Sequence, residues 1–184
     1  MRKFLSWLAT AATLSFSVPI QASQNDPRLP QLFEQLKEAS TAEEAGLLER
    51  AIWQIWLSSG NGIVDAHMLR GLQALGIGDN EAAISSFDQV VELQPDFAEA
   101  WNKRATANYM LGRFDASVID IHKTLSLEPR HFGALSGLGL INLALGREHE
   151  ALKVFEAALG IHPYLSGADT HIQELRDKLK GSGA

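Results

Sequence analysis

Six histidines are the side chains of this sequence best suited to bind a metal ion or to transfer protons. A helical zinc motif needs two histidines four residues apart with an acid beside them, and no two of these six have that spacing. Glu148-His149-Glu150 is typical of the solvated start of a helix. The sequence therefore predicts no metal site. The histidines are His67, His122, His131, His149, His162 and His171.

Candidate nucleophiles and phosphate-binding loops are equally weak. The chain contains no cysteine, which excludes disulfides, thiolate metal sites and Cys nucleophiles. Ser136-Gly137 lacks the preceding Gly-x of a nucleophile elbow, and the stretch 59–62, SGNG, is typical of a turn. We expect no catalysis and no cofactor, although a fold does not dictate function and a cryptic hydrolase is a minor alternative.

The first 22 residues differ from the rest of the chain. Arg2 and Lys3 precede an uncharged apolar stretch from Phe4 to Val18, and Ala22 ends a plausible cleavage site. This pattern predicts a cleaved signal peptide, 1–22, and a periplasmic protein. An uncleaved membrane anchor is the alternative, but the apolar stretch is shorter than the roughly 20 residues of a spanning helix.

The charge of the predicted mature chain limits its partners. Removing Arg2 and Lys3 from 16 basic residues leaves 14 against 22 acidic ones, a formal charge of 14 − 22 = −8. Nucleic acids and anionic lipid surfaces are bound by basic proteins. We therefore expect no nucleic-acid partner and no stable membrane span once the signal has been removed.

The positions of glycine and proline repeat every 34 residues. Gly78, Gly112 and Gly146 share this spacing, and so do the three prolines at 95, 129 and 163. The spacing divides the chain into units 64–97, 98–131 and 132–165, each with two amphipathic helices joined at the glycine. Glycine accepts the left-handed conformation that ends a helix, and proline cannot continue one.

Within the second unit the side chains predict three specific contacts. Asp96 with Glu99 three residues later resembles a capping box, and Trp101 is expected to fill the space between the two helices of its unit. Arg104 is expected to pair with Asp120 of the next helix, the alternative being that both side chains are solvated.

The repeat resembles the tetratricopeptide repeat, or TPR. The third unit matches the family pattern best, with Leu138, Gly139, Ala151, Phe155 and Pro163. Asparagine or alanine replaces the family's tyrosine at one position of every unit. The resemblance implies an all-α fold, a right-handed α-solenoid of antiparallel helix pairs whose first helices line a concave groove.

The flanks of the repeats are also expected to be helical. Residues 23–63 predict a degenerate helical hairpin in which Thr41 and Glu44 form a capping box. Its Trp53 and Trp56 are expected to pack on the first repeat, with an exposed aromatic patch as the alternative. Residues 166–184 predict a capping helix and tail that cover the third unit. Either this helix or a partner is expected to cover Leu140 and Leu143 of the unit's apolar first helix.

The family's groove positions, transferred to this sequence, give a mixed surface for an extended peptide or a helix. The family's carboxylate clamp is not expected, because its places hold Met68, Leu72, Lys103, Gly133 and Gly137, of which only Lys103 is charged. The candidate groove residues are Asp65, Met68, Leu72, Leu75, Glu99, Asn102, Thr106, Tyr109, Met110, Ser136, Leu140 and Leu143.

The resemblance implies a non-catalytic scaffold or adaptor of the bacterial cell envelope that binds a protein or peptide in this groove. The alternative is a self-associating structural subunit, a homodimer that buries the apolar faces around Trp53, Trp56 and Leu140.

Overall fold

A computed structural model describes residues 23–181, and these residues form nine α-helices after a short 3-10 helix at Ser23–Asn25. No strand occurs within this range, as predicted for an all-α fold. The helices are α1 Leu29–Glu38, α2 Ala42–Trp56, α3 Gly62–Gly76, α4 Asn80–Leu93, α5 Ala98–Met110, α6 Phe114–Leu127, α7 Phe132–Ala144, α8 Glu148–Ile161 and α9 Ala168–Gly181.

The turns between paired helices need glycine. Gly78, Gly112 and Gly146 have φ angles of 78°, 70° and 68°, the left-handed region that other residues rarely adopt. Each lies two residues beyond the end of the first helix of its unit, directly after the C-cap residue. The recurrence of these three turns is the physical basis of the 34-residue period.

The two predicted capping boxes have different outcomes. At α2 the Glu44 amide donates to Thr41 Oγ1, and the Glu44 carboxylate accepts from the Ser40 amide. The capping box at α5 is wrong, because Phe97 is the N-cap and no side chain caps the helix. Glu99 is buried instead, with 1% of its surface exposed.

The helices α3 to α8 stack as three antiparallel pairs, and α9 packs on α8. Close approach within a pair depends on small residues: a Cβ on Gly71 would lie 2.4 Å from the Phe87 ring, and one on Gly139 would lie 2.7 Å from Phe155. The prediction that the last helix covers the third unit is confirmed, because Leu140 packs in the cluster formed with α9.

The predicted ion pair of the second unit is confirmed. Arg104 Nε and Nη2 donate to the two carboxylate oxygens of Asp120 at 2.9 and 2.7 Å, and Nη1 reaches Asp88. Trp101 differs from the prediction, since it packs against the core of the preceding unit and donates to the Pro95 carbonyl. The guanidinium of Arg104 lies 4.8 Å from its ring centroid.

The hairpin α1–α2 is not where the sequence placed it. Trp53 and Trp56 pack against His131 and Phe132, at the start of the third unit, and not against the first repeat. Trp56 is 1% exposed and lies in one hydrophobic cluster with Phe132. The prediction failed because simple stacking puts each element next to its chain neighbour, whereas this hairpin folds back along the stack.

The hairpin and the 3-10 helix before it contact three junctions of the stack. Gln24 of the 3-10 helix donates its side-chain amide to the Asp96 carbonyl at 2.5 Å, before α5. The Arg130 guanidinium lies 4.2 Å from the Phe33 ring centroid of α1, before α7. The Tyr164 hydroxyl donates to the Ser40 carbonyl of the hairpin turn at 2.9 Å, before α9. Because antiparallel pairs put these junctions at the same end of the stack, one amino-terminal segment reaches them all.

Residues 1–22, the predicted signal peptide, lie outside the described residues. Within 23–181 none of the helices combines the length and the hydropathy that a transmembrane span requires. The same range contains no group of three or more His, Asp or Glu side chains arranged to hold a metal ion.

Candidate functional site

An open trough of about 260 Å³ lies between α2 of the hairpin and the first helices of the second and third units. Its lining is largely apolar, with a few polar groups at its edges. The lining residues are Glu49, Trp53, Asn102, Ala105, Thr106, Tyr109, Met110, Ser117, Ile121, Phe132, Gly133, Ser136, Gly137, Leu140 and Leu165.

The structure brings six of the twelve predicted groove residues together in this trough. Met110 is the most accessible large side chain among them, 62% exposed, whereas Asn102 is 6% exposed. The hydroxyls of Tyr109 and Ser136 have no hydrogen-bond partner among the described residues, so both are free to bond to an incoming chain. The six residues are Asn102, Thr106, Tyr109, Met110, Ser136 and Leu140.

Three other predicted groove residues belong to the first unit's core. Met68 is 1% exposed inside that core, and Leu72 and Leu75 pack against it. They do not reach the trough, because they pack inward against the core centred on Phe87.

The remaining three predicted residues are engaged elsewhere. Asp65 accepts hydrogen bonds from the Ser59 amide and hydroxyl at 2.8 and 2.6 Å, which ties down the linker between the hairpin and α3. Leu143 packs beneath α9. Glu99 lies below the trough, in a buried polar cluster.

This cluster joins α5 to the start of α7. The Glu99 carboxylate lies 2.8 Å from His131 Nε2, 3.0 Å from Asn102 Nδ2 and 3.0 Å from Lys103 Nζ. His131 Nδ1 accepts the Ala134 amide hydrogen at 3.0 Å, so Nε2 carries the ring proton and donates it to Glu99. Burial by itself raises the pKa of Glu99, but Lys103 and His131 outweigh burial and hold this pKa below its ordinary value.

The only charged residue at the clamp positions is engaged within the chain. Lys103 Nζ lies 4.6 Å from the Trp53 ring centroid, and the same ammonium is paired with Glu99. Met68 and Leu72 lie in the core of the first unit, and Gly133 and Gly137 line the trough without a side chain. No clamp for a terminal carboxylate is therefore assembled at these five positions.

Sequence reasoning missed the wall of the trough supplied by α2. The Trp53 indole donates to Glu49 Oε1 at 3.1 Å, and Glu49 Oε2 lies 3.3 Å from His162 Nε2. No periodic pattern links residue 49 to residue 162, so only the fold could show this wall. The part of the trough at Gly133 and Gly137 could have been predicted from the sequence. A glycine at a groove position has no side chain and leaves space there.

The trough is built to take side chains. Sites for small molecules generally have volumes of about 300 to 1,000 Å³. The trough, at about 260 Å³, therefore suits one or two apolar side chains of a protein chain better than a small molecule. A larger open depression of about 750 Å³ lies on the outside of the hairpin, lined by polar residues such as Arg28, Gln31 and Gln54. It includes none of the twelve predicted residues.

Comparisons with known proteins agree with this architecture. A family model described as tetratricopeptide repeat matches residues 68–122 and 120–166. A TPR repeat-containing protein of Rhizobium etli is 36% identical over 95% of this chain and 86% of its own length. Tetratricopeptide repeat protein 36 of Mus musculus is 31% identical over 67% of this chain and 64% of its own length.

Solved structures show the same fold at low sequence identity. The TPR domain of Arabidopsis OM64 superposes with a TM-score of 0.61 at 22% identity, covering 62% of this chain and 95% of that domain. The first TPR of Spaghetti (RPAP3), bound to the HSP90 peptide SRMEEVD, has a TM-score of 0.61 at 21% identity, covering 64% and 93%. With the repeat period, the helix pairs and these relatives together, the chain belongs to the tetratricopeptide repeat family.

Proposed function

We propose that this protein is a non-catalytic adaptor that binds a peptide or helix of a partner protein in the trough between α2, α5 and α7. The observation that carries the proposal is the open apolar trough itself, where α5 and α7 leave Met110, Tyr109 and Leu140 uncovered by the hairpin. TPR domains with this fold are typically interaction modules, and two of the similar structures are complexes with an HSP90 peptide and with Hsp70.

The composition of the trough defines what it selects. Its apolar lining favours large aliphatic or aromatic side chains, while the hydroxyls of Tyr109 and Ser136 can bond to a polar backbone. The described lining of the trough contains no lysine or arginine, and Lys103 beside it is paired with Glu99 and faces Trp53. We expect an internal apolar segment of the partner to bind, and not its charged chain end.

The experiment is a pull-down from bacterial envelope extracts with the trough variant Met110→Glu. Met110 is 62% exposed, so the variant should fold normally and lose its partner because the new carboxylate would be desolvated on binding. Ile119→Glu is the matched control, at a residue 67% exposed on α6 and outside the trough. If the Met110→Glu variant recovers the same proteins as Ile119→Glu, the trough is not the binding site.

We also propose that the chain acts in the bacterial periplasm after loss of residues 1–22. The support is the basic and then apolar start of the sequence, together with a similar protein in a bacterium. Cell fractionation followed by mass measurement should find a periplasmic chain that begins at Ser23. A full-length chain in the cytoplasmic fraction would refute this location.

The contacts of the two tryptophans and of Leu140 give little support to the alternative, a self-associating subunit. Trp56 is buried inside the chain and Trp53 lines the trough beside Lys103, so the two do not form a shared apolar face. Leu140 is partly covered by α9.

A further inference from the structure

The hairpin α1–α2 meets the repeats through an array of aromatic and cationic side chains. The Trp56 ring stacks on the His131 ring with centroids 4.1 Å apart and an interplanar angle of 9°. Lys103 faces Trp53 at 4.6 Å, and Arg130 faces Phe33 at 4.2 Å. Two aromatic side chains of the hairpin therefore each meet a cation of the repeats, and a third stacks on the His131 ring, an arrangement that recognises aromatic groups.

Some buried polar atoms at this contact have no hydrogen-bond partner. Two buried side-chain atoms on residues that line the contact have no hydrogen-bond partner among the described residues, namely Trp56 Nε1 and His162 Nδ1. Glu99 Oε1, which lies under the contact, is not such an atom, because it is ion-paired with the Lys103 ammonium at 3.0 Å. Well-packed cores leave few such atoms, so their concentration here marks a contact that is weaker than its burial suggests.

The hairpin is joined to the repeats by one short linker. Leu57 to Asn61 separate α2 from α3, and Gly60 has a φ of 74°. Ser59 is fixed to Asp65 of α3 by hydrogen bonds of 2.8 and 2.6 Å, so the linker is anchored on the repeat side. Release of the hairpin thus requires rotation only at the residues before Ser59.

We propose that α1–α2 is an intramolecular ligand of the repeats, and that the surface it covers is a second interaction surface for a partner helix of the same design. Such a helix carries two aromatic residues three apart, like Trp53 and Trp56, and a carboxylate one turn before the first, like Glu49. The aromatic pair meets Lys103 and His131, and the carboxylate meets His162. This proposal goes beyond the trough, because it concerns the surface beneath the hairpin and not the space left beside it.

The test separates the hairpin from the repeats without removing it. A protease recognition sequence is inserted between Ser58 and Ser59 of the full chain, and the chain is cut after it has folded. The probe is a fluorescent synthetic peptide of residues 23–57, followed by anisotropy and gel filtration. The control probe is the same peptide with both Trp53 and Trp56 replaced by alanine.

We expect the probe to replace the hairpin of the cut chain, and the double-alanine probe not to replace it. The uncut chain should bind the probe at least about tenfold more weakly than the cut chain, because its own hairpin competes at high effective concentration. In the uncut chain Trp53→Ala should strengthen probe binding about tenfold, because it weakens the binding of the chain's own hairpin, which competes with the probe. Leu47→Ala, at an exposed residue of the same helix, should leave it unchanged.

Two results would overturn the proposal. One is a cut chain that keeps its hairpin and never binds the probe, which would make α1–α2 a permanent wall. The other is loss of helical circular dichroism on release of the hairpin, which would make it part of the folded core. Neither result bears on the trough, whose partner is tested separately with Met110→Glu.

Discussion

Glu99 is the residue whose environment departs furthest from that of an ordinary surface carboxylate. It is 1% exposed and is held ionised by Lys103 and His131, so its pKa is lower in the folded than in the unfolded chain. A depressed carboxyl pKa contributes stability above the ordinary value of 4.5, and this stability is lost as the pH falls below that value.

We therefore expect Glu99→Gln to lower the free energy of unfolding by about 1 to 3 kcal/mol at pH 7, since it leaves the partly buried Lys103 ammonium and the buried His131 imidazole less well paired. The variant should also lose part of the decline in stability below pH 4.5. Urea denaturation at pH 7 and pH 4 measures both effects, with exposed Glu92→Gln as the control. Equal pH dependence in the two variants would contradict this role.

The pair Arg104–Asp120 gives a second prediction at the residue scale. Asp120 is buried and accepts two hydrogen bonds from Arg104, whereas Asp88 is half exposed. Asp120→Asn should cost about 1 to 3 kcal/mol of unfolding free energy. Asp88→Asn should cost less than about 1 kcal/mol, because exposed ion pairs contribute little. Similar losses in thermal denaturation of the two variants would show that burial does not distinguish them.

At the scale of the helix, glycine sets how closely the two members of a pair can pack. Gly139→Ala should destabilise the fold by about 1 to 3 kcal/mol, because its Cβ would lie 2.7 Å from the Phe155 ring. Gly160→Ala in α8 is the matched control, since no atom lies within 4 Å of the added Cβ. This control should be neutral or stabilising by up to about 1 kcal/mol in chemical denaturation. Destabilisation of both variants to the same degree would implicate helix geometry in place of packing.

The helices themselves were predictable, and the position of the hairpin was not. The 34-residue period is a local signal, since left-handed glycines such as Gly112 and prolines such as Pro129 fix where each helix ends. The resemblance to the family, and not the period alone, implied that Tyr109, Met110 and Ser136 share one surface. The docking of Trp56 on His131 joins residues 75 apart with no repeating pattern, and it decided which predicted residues stayed accessible.

At the scale of the whole molecule, the hairpin makes this stack more than a one-dimensional array. In a simple solenoid each repeat contacts only its neighbours, and its ends fray independently. Here Ser40 bonds to Tyr164, Gln24 bonds to Asp96, and Phe33 packs on Arg130. The hairpin and the 3-10 helix before it therefore connect three junctions of the stack.

Because only Leu57 to Asn61 join the hairpin to the repeats, we expect α1–α2 to open before the repeats unfold. Hydrogen exchange followed by mass spectrometry should show amides of α1 and α2 exchanging together, at a lower opening free energy than those of α5 and α7. Exchange of α9 before the hairpin would instead indicate ordinary fraying from the carboxyl end.

The most direct measurement is photocrosslinking in living cells from single positions of the folded chain. A crosslinker at residue 110, in the trough, should capture one partner protein through an internal segment identified by mass spectrometry, and one at residue 136 should capture the same segment. A crosslinker at residue 119, on the opposite helix of the pair, should not capture it. Identical products from residues 110 and 119, or attachment at the partner's chain end, would contradict a trough that binds an internal apolar segment.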